Sequence, residues 1–324
     1  MFTNKDLEYK SIFVVNCEEQ RALRVSNGEL LLEEVHEEGK RTLTKMPFQK
    51  MLALFVIGHI TITTPLIEKC KKNNVALCVM KHNLRPVFFE GESAEANFLL
   101  RKRQYALDKE DVNVAKALMR CKFKNQCKLL KNTRKKDALT LDAIAWCEEA
   151  LNRLPFEKRC ESLMGLEGCV ARSFFAAYYQ DLKWKQRLPR LKCDAINAAL
   201  DIGYTLLFNF VEVYARMFGF DLYMGVYHRL WFKRKSLVCD LIEPFRCIID
   251  QQMRKAWNLG QVREEDFDVT KGEYRLKFEK NGDYCKLFYT ALADHKKDIF
   301  VFMQGYYRHF MRSSEWTKYP IFEI

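Results

Sequence analysis

Four side chains in this 324-residue chain could do chemistry together: Glu167, His228, Asp240 and Glu243. Carboxylates grouped with one imidazole make a divalent-metal set. Oxygen ligands suit Mg2+ and Mn2+, whereas an imidazole is more natural on transition metals such as Mn2+ or Zn2+. A Glu/His/Glu set therefore accepts Mn2+ well and Mg2+ adequately. Beside a cationic groove, such an ion polarises a phosphoryl oxygen and orients a hydroxyl or water for in-line attack. Phosphodiester transfer is then the natural reaction. Cations for the groove stand close by in the sequence. Lys233, Arg234 and Lys235 lie between His228 and Asp240, and Arg187 and Arg190 flank Pro189.

Each residue also has a plainer reading. His228 has aromatic neighbours and fits a structural histidine. Glu167 fits a helix surface, and Asp240 with Glu243 fit the acids that favour a helix N-terminus. Lys233, Arg234 and Lys235 fit a solvated loop. Spacing alone leaves both sets of readings open.

The elements around these residues are legible as patterns. Ala195–Phe218 is an amphipathic run of helical period. It is followed by the step Gly225-Val226-Tyr227-His228 and by Ser236 to Arg246. Asp240 and Glu243 are three apart, so on a helix they share a face. Pro244 suits a first helical turn. Glu167 lies between Gly165 and Gly168 among small and apolar residues.

The period changes along the chain. Short apolar or alternating runs at 12–16, 22–25, 30–35, 52–57, 60–63, 75–80 and 86–89 predict strands, with Asn27-Gly28 as a hairpin turn. One helix is expected over 65–73. After residue 92 the spacing is helical, over 94–107, 112–130, 137–154, 156–180, 194–218, 243–259 and 285–312. A small hairpin is expected near 274–278, with Asn281-Gly282. The fold class expected is α+β: a small β-rich domain over 1–92, then a larger all-α domain over 93–324.

Composition narrows the class further. The chain is 48% hydrophobic and 30% charged, as a globular protein is. Its first ten residues are polar, and no apolar run approaches the ~18 residues of a membrane span. Twelve cysteines contain no CxxC pair, so reduced, buried thiols and a cytoplasmic location are expected. The net charge is +12, and the excess is local. Arg101 to Lys136 holds 13 basic and 3 acidic residues, the footprint of a polyanion such as nucleic acid. Arg101, Arg103, Lys122, Lys124 and Lys128 are its candidate contacts.

At these same residues the chain resembles the CRISPR adaptation integrase family, the metal-dependent enzymes that insert new spacers into CRISPR arrays. The likeness rests on four motifs in order. They are Glu167-Gly168 with Ala171, Phe174-Phe175 and Tyr178; Asn197-Ala198 with Gly203-Tyr204 and Leu206-Leu207; Gly225 with His228; and Ser236-Leu237, Asp240-Leu241, Glu243 and Phe245-Arg246. It covers nearly the whole chain. One departure is the single Pro189 where the family often has two prolines. The resemblance implies Glu167, His228 and Glu243 as ligands of Mg2+ or Mn2+, with Asp240 as an accessory acid. It implies an N-terminal dimerisation domain, homodimers, and a small dimeric partner protein bridging two of them. The DNA implied is double-stranded prespacer and CRISPR repeat. A prespacer 3′-hydroxyl would attack a repeat phosphodiester by transesterification, with no nucleotide cofactor, and cutting of branched DNA would be the reverse reaction. Two alternatives use the same residues differently: a transposon-type integrase, and a non-catalytic nucleic-acid scaffold that has no need of buried acids.

Overall fold

Strands form where the sequence alternates, and they pair as the turns dictate. The computed structural model describes residues 9–17, 21–36, 39–91, 96–108, 111–134, 136–182, 184–228 and 231–324. These fall into two compact units. The first runs to Lys102 and takes in Glu212–Asp221; the second holds Arg103–Val211 and Leu222–Ile324. The boundary expected at 92/93 lies outside the described residues.

The first unit has two sheets. The strands are β1 (Ser11–Cys17), β2 (Arg21–Ser26), β3 (Glu29–His36), β4 (Gly39–Pro47), β5 (Met51–Gly58), β6 (Ala76–Met80) and β7 (Pro86–Glu90). One sheet has the order β1-β5-β6-β7, parallel except for β7, and the other is the meander β2-β3-β4. β5 is apolar almost throughout because it is buried almost throughout, as a central parallel strand must be. Asn27 and Gly28 have φ of 49° and 79°, the two left-handed residues of a tight hairpin, and Ser26 pairs with Glu29 across it. Helix α1 (Thr64–Lys72) carries a proline in its first turn.

Two features differ from the expectation. β4 is a strand although Lys40, Arg41 and Lys45 interrupt its apolar pattern. It is an edge strand, exposed from Gly39 to Lys45, where cations discourage further pairing. Residues 60–63 form no strand. Ile60 and Ile62 are apolar because they pack on the sheet core as part of a connector.

The helices then follow: α2 (Phe98–Tyr105), α3 (Asn113–Lys131), α4 (Ala138–Arg153), α5 (Cys160–Tyr178), α6 (Ala195–Phe218), α7 (Ser236–Leu241), α8 (Arg246–Asn258), α9 (Asn281–Asp294) and α10 (Lys296–Met311). A 3-10 turn, Glu243–Phe245, joins α7 to α8. The stretch expected as one helix over 285–312 is two, broken at His295, which caps both. The expected hairpin exists as β8 (Phe267–Thr270) and β9 (Glu273–Leu276), but it turns at Lys271-Gly272, and Asn281-Gly282 opens α9 instead.

Helix α3 organises the second unit. It packs against α4, α5, α8 and the 3-10 turn, and all but four of its 19 residues are buried. That narrows the basic stripe read over residues 101–136: Lys116, Arg120 and Lys122 are buried, whereas Lys102, Lys124, Lys128, Lys131, Arg134 and Lys136 are exposed. Lys116 Nζ donates to the Pro155 carbonyl, and Arg120 donates to the Thr317 and Tyr319 carbonyls. The cations turn inward because chain segments packed on α3 present carbonyl oxygens that need donors. Helix α6 has the length and composition of a membrane span, contrary to expectation, yet 78% of its most apolar window is buried in the protein. Among the described cysteines all are free thiols, and most are buried.

Candidate active site

One cavity of about 930 Å3 in the second unit gathers the residues of interest. Four helical stripes line it. α3 gives Lys122, Asn125 and Gln126; α5 gives Glu167, Gly168, Ala171, Arg172, Phe175 and Ala176. α6 gives Asp201, Tyr204, Thr205 and Phe208. Cys239, Ile242, Glu243, Arg246, Cys247 and Asp250 run as one stripe through α7, the 3-10 turn and α8. Spacings of three and four residues put each set on one face, so each helix turns its opposite face to the core. For α5 that core face is Leu163, Leu166, Val170, Phe174 and Tyr178.

Glu167 and Glu243 meet on one cation, and the cation is Lys122. Its Nζ lies 2.5 Å from Glu167 Oε1 and 2.6 Å from Glu243 Oε2. The Lys122 side chain is only 8% exposed. Arg246 Nε is 3.0 Å from the same Glu243 oxygen. Burial opposes the lysine charge, but Glu167 and then Glu243 outweigh it, and the pKa is raised. Burial likewise pushes the Glu243 carboxyl up, yet Arg246 and Lys122 pull it down to about 2. Lys122, a candidate DNA contact by sequence, lies in the cavity wall on these two acids. One helical turn on, Asn125 Nδ2 donates to the Pro244 carbonyl, so the same face of α3 also grips the backbone of the turn that carries Glu243.

Asp240 has a different task from Glu243. Its carboxylate is fully buried and accepts four hydrogen bonds. Val226 N and Tyr227 N reach Oδ2 at 2.6 and 3.1 Å. His228 N and His228 Nδ1 reach Oδ1 at 2.9 and 2.6 Å. Three successive amides thus converge on one carboxylate, which shapes the backbone of the loop. The imidazole is held by Nδ1, leaving Nε2 as the nitrogen able to act in the cavity. Asp240 and Glu243 therefore do not share a face in use. Gly225 permits this packing. A Cβ there would sit 2.8 Å from Asp240 Oδ2 and 3.0 Å from the Ser236 carbonyl carbon.

The set fits a divalent ion by its donors. Two carboxylates already bind a common cation, His228 keeps a free nitrogen with a carboxylate behind it, and all three line the same cavity. Orphaned polar atoms lie in the same walls. Tyr227 Oη and Gln126 Oε1 are buried without a hydrogen-bond partner. Burial first, then Glu167 and Glu243, raises the Tyr227 pKa, and all three residues line the same cavity. Beside Glu167, a Cβ added to Gly168 would meet nothing within 4 Å. With Lys122 in place, however, no three His, Cys, Asp or Glu side chains among the described residues are drawn together as a metal cage.

The expected cationic residues divide sharply. Arg187, Arg190 and Arg234 line the cavity. Arg187 is anchored there, at 2.9 Å from Asn197 Oδ1 and 2.5 Å from Asp201 Oδ1. Leu188 N and Arg190 N bond to the same two residues, so Asn197 and Asp201 set the path of the loop around its single proline. Lys233 and Lys235 belong to the loop before α7 but are not among the lining residues, and Lys233 Nζ lies over the Phe232 ring at 5.2 Å. Arg101 Nε donates to the Gly219 carbonyl within the first unit, and Arg103 Nε donates to the Phe310 carbonyl at 2.6 Å. Lys124 and Lys128 are exposed on α3 and lie outside the lining. Arg172, Lys185, Lys192 and Arg246 line the cavity and were not anticipated. The available signal was helical spacing: Arg172 is four residues after Gly168, and Arg246 three after Glu243.

A second carboxyl, Asp250, lies deep in the same stripe. It accepts from Tyr204 Oη at 2.6 Å, and Tyr204 has Arg246 and Arg187 over its ring at 4.7 and 5.3 Å. Burial pushes its carboxyl up to about 6, against Tyr204 and Arg246. The folded state then holds the proton more tightly than the unfolded chain. The stability this contributes is complete below pH ~4 and lost as pH rises through about 6, at most about 3 kcal/mol. Relative to Asp250→Asn, the wild type should lose that amount between pH 4 and pH 7 in urea unfolding.

Comparison with known proteins places this architecture. The family model described as CRISPR associated protein Cas1 matches residues 15–290. A CRISPR-associated endonuclease Cas1 of Thermodesulfovibrio yellowstonii is 27% identical, over 83% of this chain and 89% of its own. Among solved structures, the fold resembles a chain of a partial Cas6-RT-Cas1–Cas2 complex, with TM-score 0.80 and 17% identity over 97% of this chain and 99% of that one. It also resembles a casposase bound to integration product, with TM-score 0.64 and 20% identity over 96% and 94% of the two chains. The β-sheet region followed by a mostly helical region, the four lining stripes and the extent of the family match lead to one conclusion: this chain belongs to the CRISPR-associated Cas1 family.

Proposed function

We propose that the protein is a metal-dependent DNA integrase that inserts prespacer DNA into a CRISPR array, with DNA cleavage as the reverse of the same reaction. The observation that carries this reading is the convergence of Glu167, Glu243 and His228 on one cavity whose other walls are rich in arginine and lysine. Glu167, Glu243 and His228 Nε2 would hold Mg2+ or Mn2+. The ion's contribution would be charge stabilisation at a phosphoryl oxygen and activation of the attacking hydroxyl. The chain's own residues do the rest. Asp240 fixes His228 through Nδ1. Arg172, Arg190, Lys192 and Arg234 supply the positive field a phosphate backbone requires. A 3′-hydroxyl oxygen forms a bond to phosphorus as the leaving 3′-oxygen departs, so the number of phosphodiesters is unchanged and no nucleotide is consumed.

Two reacting ends need two such sites, which a homodimer supplies. A small dimeric protein bridging two dimers would space them, in keeping with the Cas1–Cas2 assembly among the structural relatives. A scaffold without catalysis is the second reading, and Lys122 favours it, because it neutralises the carboxylates without a metal.

The test is strand transfer. A labelled duplex with 3′-hydroxyl ends, a supercoiled plasmid carrying the cognate repeat, Mn2+ and the partner protein are mixed with the purified chain. Label joined to plasmid, and lost with EDTA, is the expected result. No joining with the partner present would favour the scaffold. DNA binding should follow the cavity rather than α3. Charge reversal at Arg172 or Arg190 should lower the salt slope of binding by about 0.9 per lost contact, while Lys124→Glu and Lys128→Glu leave it unchanged. The reverse pattern would place the DNA on the outer face of α3.

A further inference from the structure

We infer that Lys122 is a built-in counter-cation that a divalent ion must displace from Glu167 and Glu243, and that its freed ammonium then serves the phosphate-binding cavity. The inference rests on the metal-dependent reading above and adds a competitor to it.

The geometry is tight. Lys122 Nζ takes one oxygen from each carboxylate, at 2.5 and 2.6 Å. Two carboxylates gathered this closely repel each other unless a positive charge lies between them. Lysine supplies that charge in the metal-free chain and keeps the two acids at one point. A dication drawn to the same oxygens carries the same sign of charge as the ammonium. Both cannot occupy one gap of a few ångströms in a buried site without strong repulsion. Glu243 has a second partner in Arg246, so it remains neutralised when the lysine leaves. Lys122 has somewhere to go: its side chain is part of the cavity wall, shared with Arg172 and Arg190. A flexible four-carbon stem suits such a swing better than a planar guanidinium would.

The arrangement has a functional consequence. Metal-free protein keeps its two carboxylates charge-compensated and assembled, and the cavity gains the Lys122 ammonium only when the metal arrives. Metal binding and polynucleotide binding are then coupled through one side chain.

The test is Mn2+ affinity by isothermal titration calorimetry on wild type, Lys122→Met and Lys122→Gln, with circular dichroism to establish that each variant is folded. Both variants should bind Mn2+ at least about tenfold more tightly, because no ion pair has to be broken first. Their metal-free melting temperatures should fall, and Mn2+ should restore them further than it raises the wild type's. Equal or weaker Mn2+ binding by the folded variants would overturn the inference and leave the metal site standing. Absence of Mn2+ binding in wild type and variants alike would overturn both.

Discussion

Alanine at Glu167, His228 or Glu243 is expected to lower strand joining by about a thousandfold or more, the several kcal/mol of charge stabilisation that a bound metal supplies. DNA affinity should stay within about threefold, since it rests on cations elsewhere in the cavity. The reasons differ by residue. Glu167 and Glu243 each lose a donor that now faces Lys122. His228 loses the only nitrogen in the group, and Asp240 is left holding amides alone. Glu243 is 3% exposed with two cations on it, so Glu243→Ala also leaves buried charge uncompensated. Glu243→Gln keeps the volume and separates the two effects. A Glu243→Gln protein that is folded, binds DNA and still joins strands at the wild-type rate would remove this carboxylate from the reaction.

The second large effect is expected outside the proposed ligand set, at the support of His228. Asp240→Ala strands three backbone amides and an imidazole nitrogen at a position with no access to water. At about 1–3 kcal/mol per unsatisfied buried group, the loss of stability should exceed about 3 kcal/mol. Gly225→Ala attacks the same packing from the other side. The added methyl group would lie 2.8 Å from both Asp240 Oδ2 and Ser236 Cβ, and neither has room to retreat. Joining should fall about 10- to 100-fold, as it does when a residue behind a metal ligand is lost. Asp240→Asn is the discriminating variant. It keeps the shape but puts an amide N–H where an acceptor was needed. Chemical denaturation and Mn2+ titration together check the account. A folded Asp240→Asn protein with unchanged Mn2+ affinity would mean that His228 needs no such anchor.

Glu167, His228 and Glu243 stood out in the sequence by residue type and family likeness, and helical period is what turns Glu167 and Glu243 to one cavity. Glu167 with Gly168 and Ala171, Asp201 with Tyr204, and Cys239 through Asp250 each repeat at three or four residues, so each marks one face. The Asn27-Gly28 turn and the apolar run of β5 were legible for equally local reasons. What escaped was the direction in which charged side chains turn. Lys122, Lys124 and Lys128 look alike in a sequence, yet one reaches into the site and two face outward, because Lys122 falls one helical turn before Asn125 on the face of α3 that meets the Glu243 turn. Lys116, Arg120 and Arg103 are spent on backbone carbonyls supplied by segments far away in the chain. Net charge over 36 residues carries no record of those partners. Asp240 escaped similarly. It stands three positions before Glu243, but α7 ends at Leu241 and Glu243 opens the 3-10 turn, so Asp240 holds the amides of 226–228 while Glu243 lines the cavity. β4 was hidden by lysines and arginine that an edge strand can carry and a central one cannot.

The proposed binding of one divalent ion by Glu167, His228 and Glu243 can be seen by anomalous scattering at the manganese edge from crystals of the protein soaked in Mn2+. A single strong peak bounded by Glu167, Glu243 and His228 Nε2 is expected, with the Lys122 side chain moved off both carboxylates. A map with no peak there, and Lys122 still bridging the two acids under saturating Mn2+, would contradict it.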